Sequence, residues 1–226
     1  MIYLNEWESQ FFGRKIGRLE KYSIDSLSTE HEFDLIQAKI SSEKSKEILF
    51  LQQQNFHFVE GEIDFILPLS NLKNNIPLLN KADTLDLPQL KNMVANSFLN
   101  SRFKEPYFSA EENERFYQTW IEKAVHGSFD DICFVIKQNN HVMGCISIKI
   151  IENDCRVGLI AVAPTAQKKG IASQLFNYAI QWSILQKAQN LRVATQINNI
   201  AAINLYQKFS VKTYNTSYWF YKLIKR

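Results

Sequence analysis

The stretch Gly158-Leu-Ile-Ala-Val-Ala-Pro-Thr-Ala-Gln-Lys-Lys-Gly-Ile-Ala-Ser173 decides the fold. Its first half reads as an apolar strand that breaks at Pro164, and its second half re-enters as a helix through small residues. Unpaired backbone N–H groups and the positive end of the helix dipole converge where such a helix begins. The stretch therefore predicts a strand–turn–helix unit that binds an anion with several oxygens, such as a pyrophosphate.

The composition is that of an ordinary globular protein. The chain has 226 residues, of which 46% are hydrophobic and 22% are charged. No apolar run approaches the roughly 20 residues that a bilayer-spanning helix needs, and the first residues lack the pattern of a secretory signal. We expect no membrane span and predict a cytoplasmic protein.

Charge and cysteine usage exclude two further classes of function. A net charge of +3, with scattered basic residues, is weak for gripping a nucleic-acid backbone, so we expect no nucleic-acid partner. Cys133, Cys145 and Cys155 are odd in number, lack CxxC spacing and have apolar neighbours. We predict buried thiols, with neither a disulfide nor a metal site.

A polar, turn-rich segment at residues 70–77 predicts a boundary between a small N-terminal α/β domain, residues 1–72, and a larger domain, residues 78–226. Hydrophobic periodicity predicts a β-β-α-β order in the first part, with strands at 15–24, 33–40 and 56–67 and a helix at 44–54. In the second part it predicts strands at 78–81, 132–137, 141–150, 156–162, 192–197 and 213–223. Helices are expected from a cap at Asp83 or Thr84 to about Phe98, at 111–125, after the quoted motif and at 199–209. Asn139-Asn140 predicts a hairpin turn.

This order of elements, together with two motifs, resembles the GCN5-related N-acetyltransferase (GNAT) superfamily. Gln167-Lys-Lys-Gly-Ile-Ala172 matches the hallmark Q/R-x-x-G-x-G/A at every fixed position, after a strand and at the start of a helix. Asn198-Asn199-Ile-Ala-Ala-Ile-Asn-Leu-Tyr206 resembles the second signature, N-x-x-A-x-x-x-Y. The resemblance implies an α/β fold whose mixed, splayed central sheet is flanked by helices.

Membership of this superfamily implies acetyl-CoA as co-substrate, with no metal. The backbone around the hallmark motif is then expected to hold the pyrophosphate, while the preceding strand bonds the pantetheine arm. Asn199 is expected to contact the cofactor, although a helix cap explains it equally well. The expected cofactor-binding residues are Ile160, Ala161, Val162, Gln167, Lys168, Lys169, Gly170, Ile171, Ala172, Ser173 and Asn199.

The same resemblance gives Tyr206 the role of general acid. A thiolate leaving group, whose thiol has an unperturbed pKa of about 8.5, benefits from protonation as it departs. A phenol with an ordinary pKa of about 10 is protonated at neutral pH and acidic enough to help. The alternative is that Tyr206 packs on an apolar helix face as one of nine tyrosines.

A closer resemblance, over nearly the whole chain, is to the branch of the superfamily that acetylates nucleotide-linked amino sugars for surface polysaccharides such as enterobacterial common antigen. Blocks such as Trp7-Glu-Ser-Gln-Phe-Phe-Gly13 and Phe58-Val-Glu-Gly-Glu62 carry it. It implies that the acceptor is the 4-amino group of dTDP-4-amino-4,6-dideoxygalactose. It also implies Glu60 as the base, with Glu62 and Asp64 as weaker alternatives on the same strand face. The competing interpretation is that Glu60 simply faces solvent or pairs with a lysine.

A nucleotide diphosphate acceptor requires cations and a stacking surface in the cleft. Arg102, with Lys104, is predicted to supply charge, and Phe103 and Tyr107 are predicted to stack on thymine or sugar. A protein N-terminal acetyltransferase, or a non-catalytic acetyl-CoA-binding relative, remains an alternative function.

The long aromatic strand at 214–221 needs to be covered, by its own chain or by a second subunit. Of these two, we expect a homodimer.

Overall fold

The strands around the quoted stretch belong to one mixed β-sheet in the computed structural model, which describes residues 1–70, 72 and 80–224. Within these residues, nine strands pair in the order β1-β2-β3-β9-β4-β8-β7-β6-β5. The strands are β1 (Ile2–Leu4), β2 (Ile16–Leu19), β3 (Leu35–Ser41), β4 (His57–Pro68), β5 (Ile132–Gln138), β6 (His141–Ile151), β7 (Asp154–Val162), β8 (Asn190–Gln196) and β9 (Lys212–Leu223). The helices are α1 (Glu6–Phe12), α2 (Ser45–Gln53), α3 (Leu87–Ala95), α4 (Ala110–Val125), α5 (Ile171–Leu185) and α6 (Ile200–Gln207).

Helices cover both faces of the sheet. Helices α1, α3 and α4 pack on one face through a core that includes Phe12, Leu90 and Phe116. Helices α2, α5 and α6 pack on the other face. Side chains alternate along a strand, so Cys145 of β6 faces the first layer and Ile146 faces the second. None of the helices in the described part of the chain is long and apolar enough to span a membrane.

The aromatic strand β9 lies inside the sheet, antiparallel to β3 on one side and to β4 on the other. Its hydrogen-bonding edges are therefore covered by the same chain. Cover by the same chain was one of the two alternatives that the sequence left open, and cover by a second subunit was the other. The expectation of a homodimer rested on an open edge of this strand, and that reason does not hold.

The predicted domain boundary at residues 70–77 lies largely outside the described residues. Strands from both sides of it share one sheet, because β9 inserts between β3 and β4. The division into residues 1–72 and 78–226 stays a prediction.

Most of the predicted elements are confirmed, with shifted ends. Asn139 and Asn140 form the predicted turn, with φ of 50° and 62°. Asp83 caps a 3-10 turn that leads into α3, and α3 ends at Ala95, short of the predicted Phe98.

The remaining differences lie in short elements. The strand predicted at 15–24 is only four residues long, and the chain continues as a 3-10 turn over Ile24–Leu27. The sequence patterns missed β1 and α1. The strand predicted at 78–81 lies partly outside the described residues, where Lys81 alone forms a bridge to Phe134.

Candidate active site

A slot opens between β7 and β8 because these parallel strands pair over only three residues. The register joins Asp154 to Asn190 and ends at Arg156 with Arg192, whereas β7 continues to Val162. Beyond Arg156, the backbone groups on this edge of β7 lie along the slot, where an extended, amide-containing ligand can pair with them as a strand would.

A β-bulge in β7 marks the start of the slot. The register between β6 and β7 shifts there, so that Gly158 and Leu159 together stand opposite Ser147. The Leu159 N–H donates to Ser147 Oγ at 2.9 Å, and that hydroxyl donates to Asp130 Oδ2 at 2.5 Å. The indole N–H of Trp120 donates to the same carboxylate oxygen at 2.8 Å. These contacts replace the interrupted ladder and fix the bulge.

Asp130 itself is buried and packs directly on the backbone of Gly158. A Cβ at residue 158 would lie 2.2 Å from Asp130 Oδ2, so the site requires glycine. Burial raises the pKa of the Asp130 carboxyl above its ordinary value, although the hydrogen bonds from Ser147 and Trp120 oppose that rise.

The turn after β7 presents backbone N–H groups to the cavity, as the sequence predicts. Lys168 and Gly170 adopt left-handed conformations, with φ of 61° and 81°. Gly170 caps α5 without a side-chain hydrogen bond, and the N–H of Gln174 is the first to bond back, to the Gly170 carbonyl at 3.1 Å. The N–H groups of the first turn, which precede Gln174, are left to bind an anion.

Of the predicted cofactor-binding residues, all but Lys169 line one cavity with the slot and this turn. The long slot and the uncapped helix start fit the amide-bearing arm and the pyrophosphate of acetyl-CoA. Lys169 is exposed and does not line the cavity, and its predicted cofactor contact stays a prediction.

The helix cap predicted at Asn199 is confirmed, and its contact with the cofactor stays a prediction. Its Oδ1 accepts the Ala202 N–H at 3.1 Å, so it caps α6. Asn199 also lines the cavity, and the cap engages its oxygen but leaves its amide NH2 for a ligand.

Tyr206 lies on α6 with its ring buried among aromatic side chains. The ring centroid is 5.1 Å from that of Phe176 and 5.9 Å from that of Phe65, and the residue lines the cavity. Burial raises the pKa of the Tyr206 phenol above its ordinary value. The hydroxyl is therefore protonated throughout the neutral range, which is the state that a proton donor needs.

Glu60 lies on β4 at a shift of register with β9, and only 5% of the residue is exposed. Its Oε2 accepts a hydrogen bond from Lys104 Nζ at 2.8 Å, and its Oε1 accepts the N–H of Gly61 at 3.0 Å. Glu60 thus lines the cavity and is also paired with a lysine, as the competing interpretation had it.

The two weaker candidates for the base also engage a cation. Glu62 pairs with Lys39 and accepts the Trp219 indole N–H at 3.0 Å. Burial acts to raise the pKa of Glu62, but Lys39 and the indole outweigh it and lower the pKa. Asp64 Oδ2 lies 3.9 Å from Lys39 Nζ. The pKa of Asp64 is nevertheless raised, because the effect of burial outweighs that of the lysine.

The predicted substrate-binding residues are placed differently from the prediction. Arg102 lines the cavity, but its guanidinium is bound by Glu8 at 2.6 Å and by the Tyr221 hydroxyl at 2.6 Å. Phe103 is 3% exposed and Tyr107 is 7% exposed, and both belong to the core under α4. Rings held there present little face to a base or sugar, so the predicted stacking is not supported.

The cavity has a volume of about 1410 Å³ and extends from the slot onto the open part of the sheet face that carries α1, α3 and α4. Ligand pockets usually measure about 300–1,000 Å³. The space is sufficient for two substrates side by side.

Comparison with known proteins agrees with this geometry. The family model of the acetyltransferase (GNAT) family matches residues 95–210. The dTDP-fucosamine acetyltransferase of Escherichia coli is 32% identical over 96% of this chain and 95% of its own.

The chain belongs to the GNAT acetyltransferase family.

This GNAT acetyltransferase is also similar to a second curated protein and to solved structures. The spore coat polysaccharide biosynthesis protein SpsD of Bacillus subtilis is 25% identical over 96% of this chain and 80% of its own. A GCN5-related N-acetyltransferase from Sphaerobacter thermophilus shares the fold, with a TM-score of 0.61 at 14% identity, covering 85% of this chain and 60% of its own.

Several charged residues that line the acetyltransferase cavity were missed from the sequence. They are Arg18, Lys39, Lys149, Arg156 and Asp130. The pairing of Lys149 with Arg156 could have been predicted from the sequence. Both residues are equally far from a two-residue turn at Glu152-Asn153, so they stand opposite each other on the hairpin. The others are brought together by long-range pairing.

The three cysteines are buried, as predicted, at 0% exposure. Burial raises the pKa of the Cys155 thiol, which makes it a poor nucleophile. Among the described residues, no group of three or more His, Cys, Asp or Glu side chains is placed to hold a metal ion.

Proposed function

We propose that this GNAT enzyme acetylates the 4-amino group of a nucleotide-linked amino sugar, dTDP-4-amino-4,6-dideoxygalactose, for surface polysaccharide synthesis such as that of enterobacterial common antigen. Similarity to the dTDP-fucosamine acetyltransferase over nearly the full length of both chains supports the acceptor class. The observation that carries the proposal is the continuation of the cavity past the slot to carboxylates and cations on the open sheet face. Both proposed substrates are water-soluble nucleotide derivatives, and we place the reaction in the cytoplasm.

Acetyl-CoA, when bound, supplies an acetyl group activated as a thioester. The residues that would hold it are those of the slot, the turn before α5 and Asn199. In the proposed reaction the acceptor nitrogen forms a bond to the acetyl carbon and the carbon–sulfur bond breaks. Tyr206 donates its proton to the departing sulfur. The amine proton goes to Glu60 through water; each Glu60 oxygen accepts one hydrogen bond in the structure and keeps a lone pair for it.

Direct attack in a ternary complex requires no acyl-enzyme. No cysteine among the described residues lines the cavity, and Cys155 is expected to be replaceable. The size of the cavity supports simultaneous binding of both substrates.

A panel of acceptors tests the proposal. Thiol release from acetyl-CoA, with mass confirmation of the product, is measured with dTDP-4-amino-4,6-dideoxygalactose, its gluco epimer and a mixed set of N-terminal peptides. The proposal predicts acetylation of a sugar nucleotide and of no peptide, with the galacto epimer preferred. Acetylation of peptides alone would make the protein an N-terminal acetyltransferase. CoA binding without release with any acceptor would favour a non-catalytic relative.

A further inference from the structure

Two cations face each other across the hairpin of β6 and β7. Lys149 and Arg156 are direct partners in the register, and both line the cavity. Like charges directly opposite each other in an antiparallel pair destabilise a sheet. Their position on a cavity wall points to a role in binding an anion.

The carboxylates of the described residues neutralise this pair only partly. Arg156 lies 3.8 Å from Asp64, and its side chain is 45% exposed. Asp64 is shared with Lys39 at 3.9 Å. The Lys149 ammonium lies over the ring of Phe129, 5.0 Å from the centroid, rather than in an ion pair.

Asp130, next to Phe129 in the chain, attracts Lys149 electrostatically but forms no ion pair with it, so it offsets the positive charge only in part. Its Oδ2 already accepts hydrogen bonds from Ser147 and Trp120, and burial raises its pKa. The pair formed by Lys149 and Arg156 therefore presents positive charge to the cavity.

The pair lies beyond the bulge, at the end of the slot opposite to the cofactor turn. Arg156 precedes Leu159 by three residues and Val162 by six, which correspond to about 10 Å and 20 Å along a strand. The turn that is expected to hold the cofactor pyrophosphate follows Val162, so one pyrophosphate cannot reach both places. An anion at Arg156 belongs to the second substrate.

We propose that Lys149 and Arg156 bind the diphosphate of the nucleotide acceptor. The inference rests on the proposed function and specifies which residues select a nucleotide-linked amine over a free one. The planar guanidinium of Arg156 suits bidentate contact with phosphate oxygens, and Lys149 adds a compact charge across the hairpin. With the diphosphate held here, the sugar extends along β7 toward the bulge and the carboxylates of β4.

The test is calorimetric binding of thymidine diphosphate to the full chain saturated with CoA, which blocks the cofactor turn. The variants are Lys149→Gln and Arg156→Gln, with Lys46→Gln on the exposed side of α2 as the matched control. Each cavity variant is expected to weaken binding by about tenfold or more. The control should stay within about twofold of the parent, and the CoA affinity of all three variants should be unchanged.

Absence of thymidine diphosphate binding to the CoA-saturated parent, or equal binding by parent and cavity variants, would overturn the subsite. Failure of the proposed function can be distinguished from failure of the subsite. A parent that binds thymidine diphosphate at the pair but acetylates no amino sugar keeps the subsite and loses the function. A parent that acetylates the sugar nucleotide, with an unchanged KM in both cavity variants, keeps the function and loses the subsite.

Discussion

Replacing Gly158 by alanine should damage the bulge at the start of the slot. The new methyl group would lie 2.2 Å from Asp130 Oδ2, so that oxygen must retreat by about 0.8 Å to reach the 3.0 Å that real contacts respect. It cannot do so freely, because Ser147 and Trp120 bind it at 2.5 Å and 2.8 Å. Overpacking lowers the free energy of unfolding by about 1–3 kcal/mol. Loss of a strained hydrogen bond to a carboxylate lowers it by at most about 1.5–3 kcal/mol more. We predict a total loss of about 2–5 kcal/mol.

The assay is urea unfolding of a double-mutant cycle that combines Gly158→Ala with Asp130→Ala. Without the carboxylate, the methyl group has room, and its cost should fall below about 1 kcal/mol. In thermal unfolding the single variant should lose about 4–20 °C. Gly13→Ala serves as a control, since a Cβ there meets nothing within 4 Å and only its left-handed conformation costs energy, about 1–2 kcal/mol. An equal penalty for Gly158→Ala with and without Asp130 would refute the steric reasoning.

Three further predictions concern the proposed catalytic residues and one proposed cofactor contact. Tyr206→Phe should lower kcat by about 10²–10⁴ in the thiol-release assay, with stability retained. The parent should lose no activity with rising pH below about pH 10, because the raised pKa keeps the phenol protonated. Turnover of the variant within a few-fold of the parent would contradict the acid role. Asn199→Asp should keep the helix cap, whereas Asn199→Ala should lower the free energy of unfolding by about 1 kcal/mol, measured in urea. A contact between the amide NH2 and the cofactor predicts that both variants weaken CoA binding in calorimetry. Glu60→Gln should lower kcat by about 10²–10⁴ at neutral pH without changing CoA affinity, and an unchanged kcat would move the role of base to Glu62 or Asp64.

The strand–turn–helix geometry of the proposed cofactor site could be predicted because it is nearly continuous in sequence. The strand, the turn and the helix start follow one another from Gly158 to Ser173, and local rules for glycine and helix starts describe them. Lys169 alone of the predicted cofactor-binding residues does not line the cavity, since a turn sequence does not say which of two adjacent lysines faces it.

The proposed acceptor half could not be predicted in the same way, because distant strands build it. Arg18, Lys39 and Arg156 lie on β2, β3 and β7, and their proximity depends on the insertion of β9 into the sheet. A pattern that gives the face of each strand does not give the order of the strands.

Phe103 lines the cavity, but the burial of its ring was not predicted, for a specific reason. Its ring lies 5.8 Å from that of Phe12 and 4.0 Å from that of Phe116, so α1 and α4 cover it. The seven-residue α1 was not predicted, because it is too short to show a helical period, although Asn5 and Gly13 are ordinary start and stop signals. Without α1, an aromatic loop residue looks available to a substrate.

Initial velocities of thiol release, with acetyl-CoA and dTDP-4-amino-4,6-dideoxygalactose both varied, test the proposed reaction most directly. Attack within a ternary complex predicts turnover and double-reciprocal lines that intersect, with the N-acetylated sugar nucleotide as the product. Parallel lines would indicate an acyl-enzyme and contradict direct attack. No release at any concentration of this acceptor would contradict the proposed substrate.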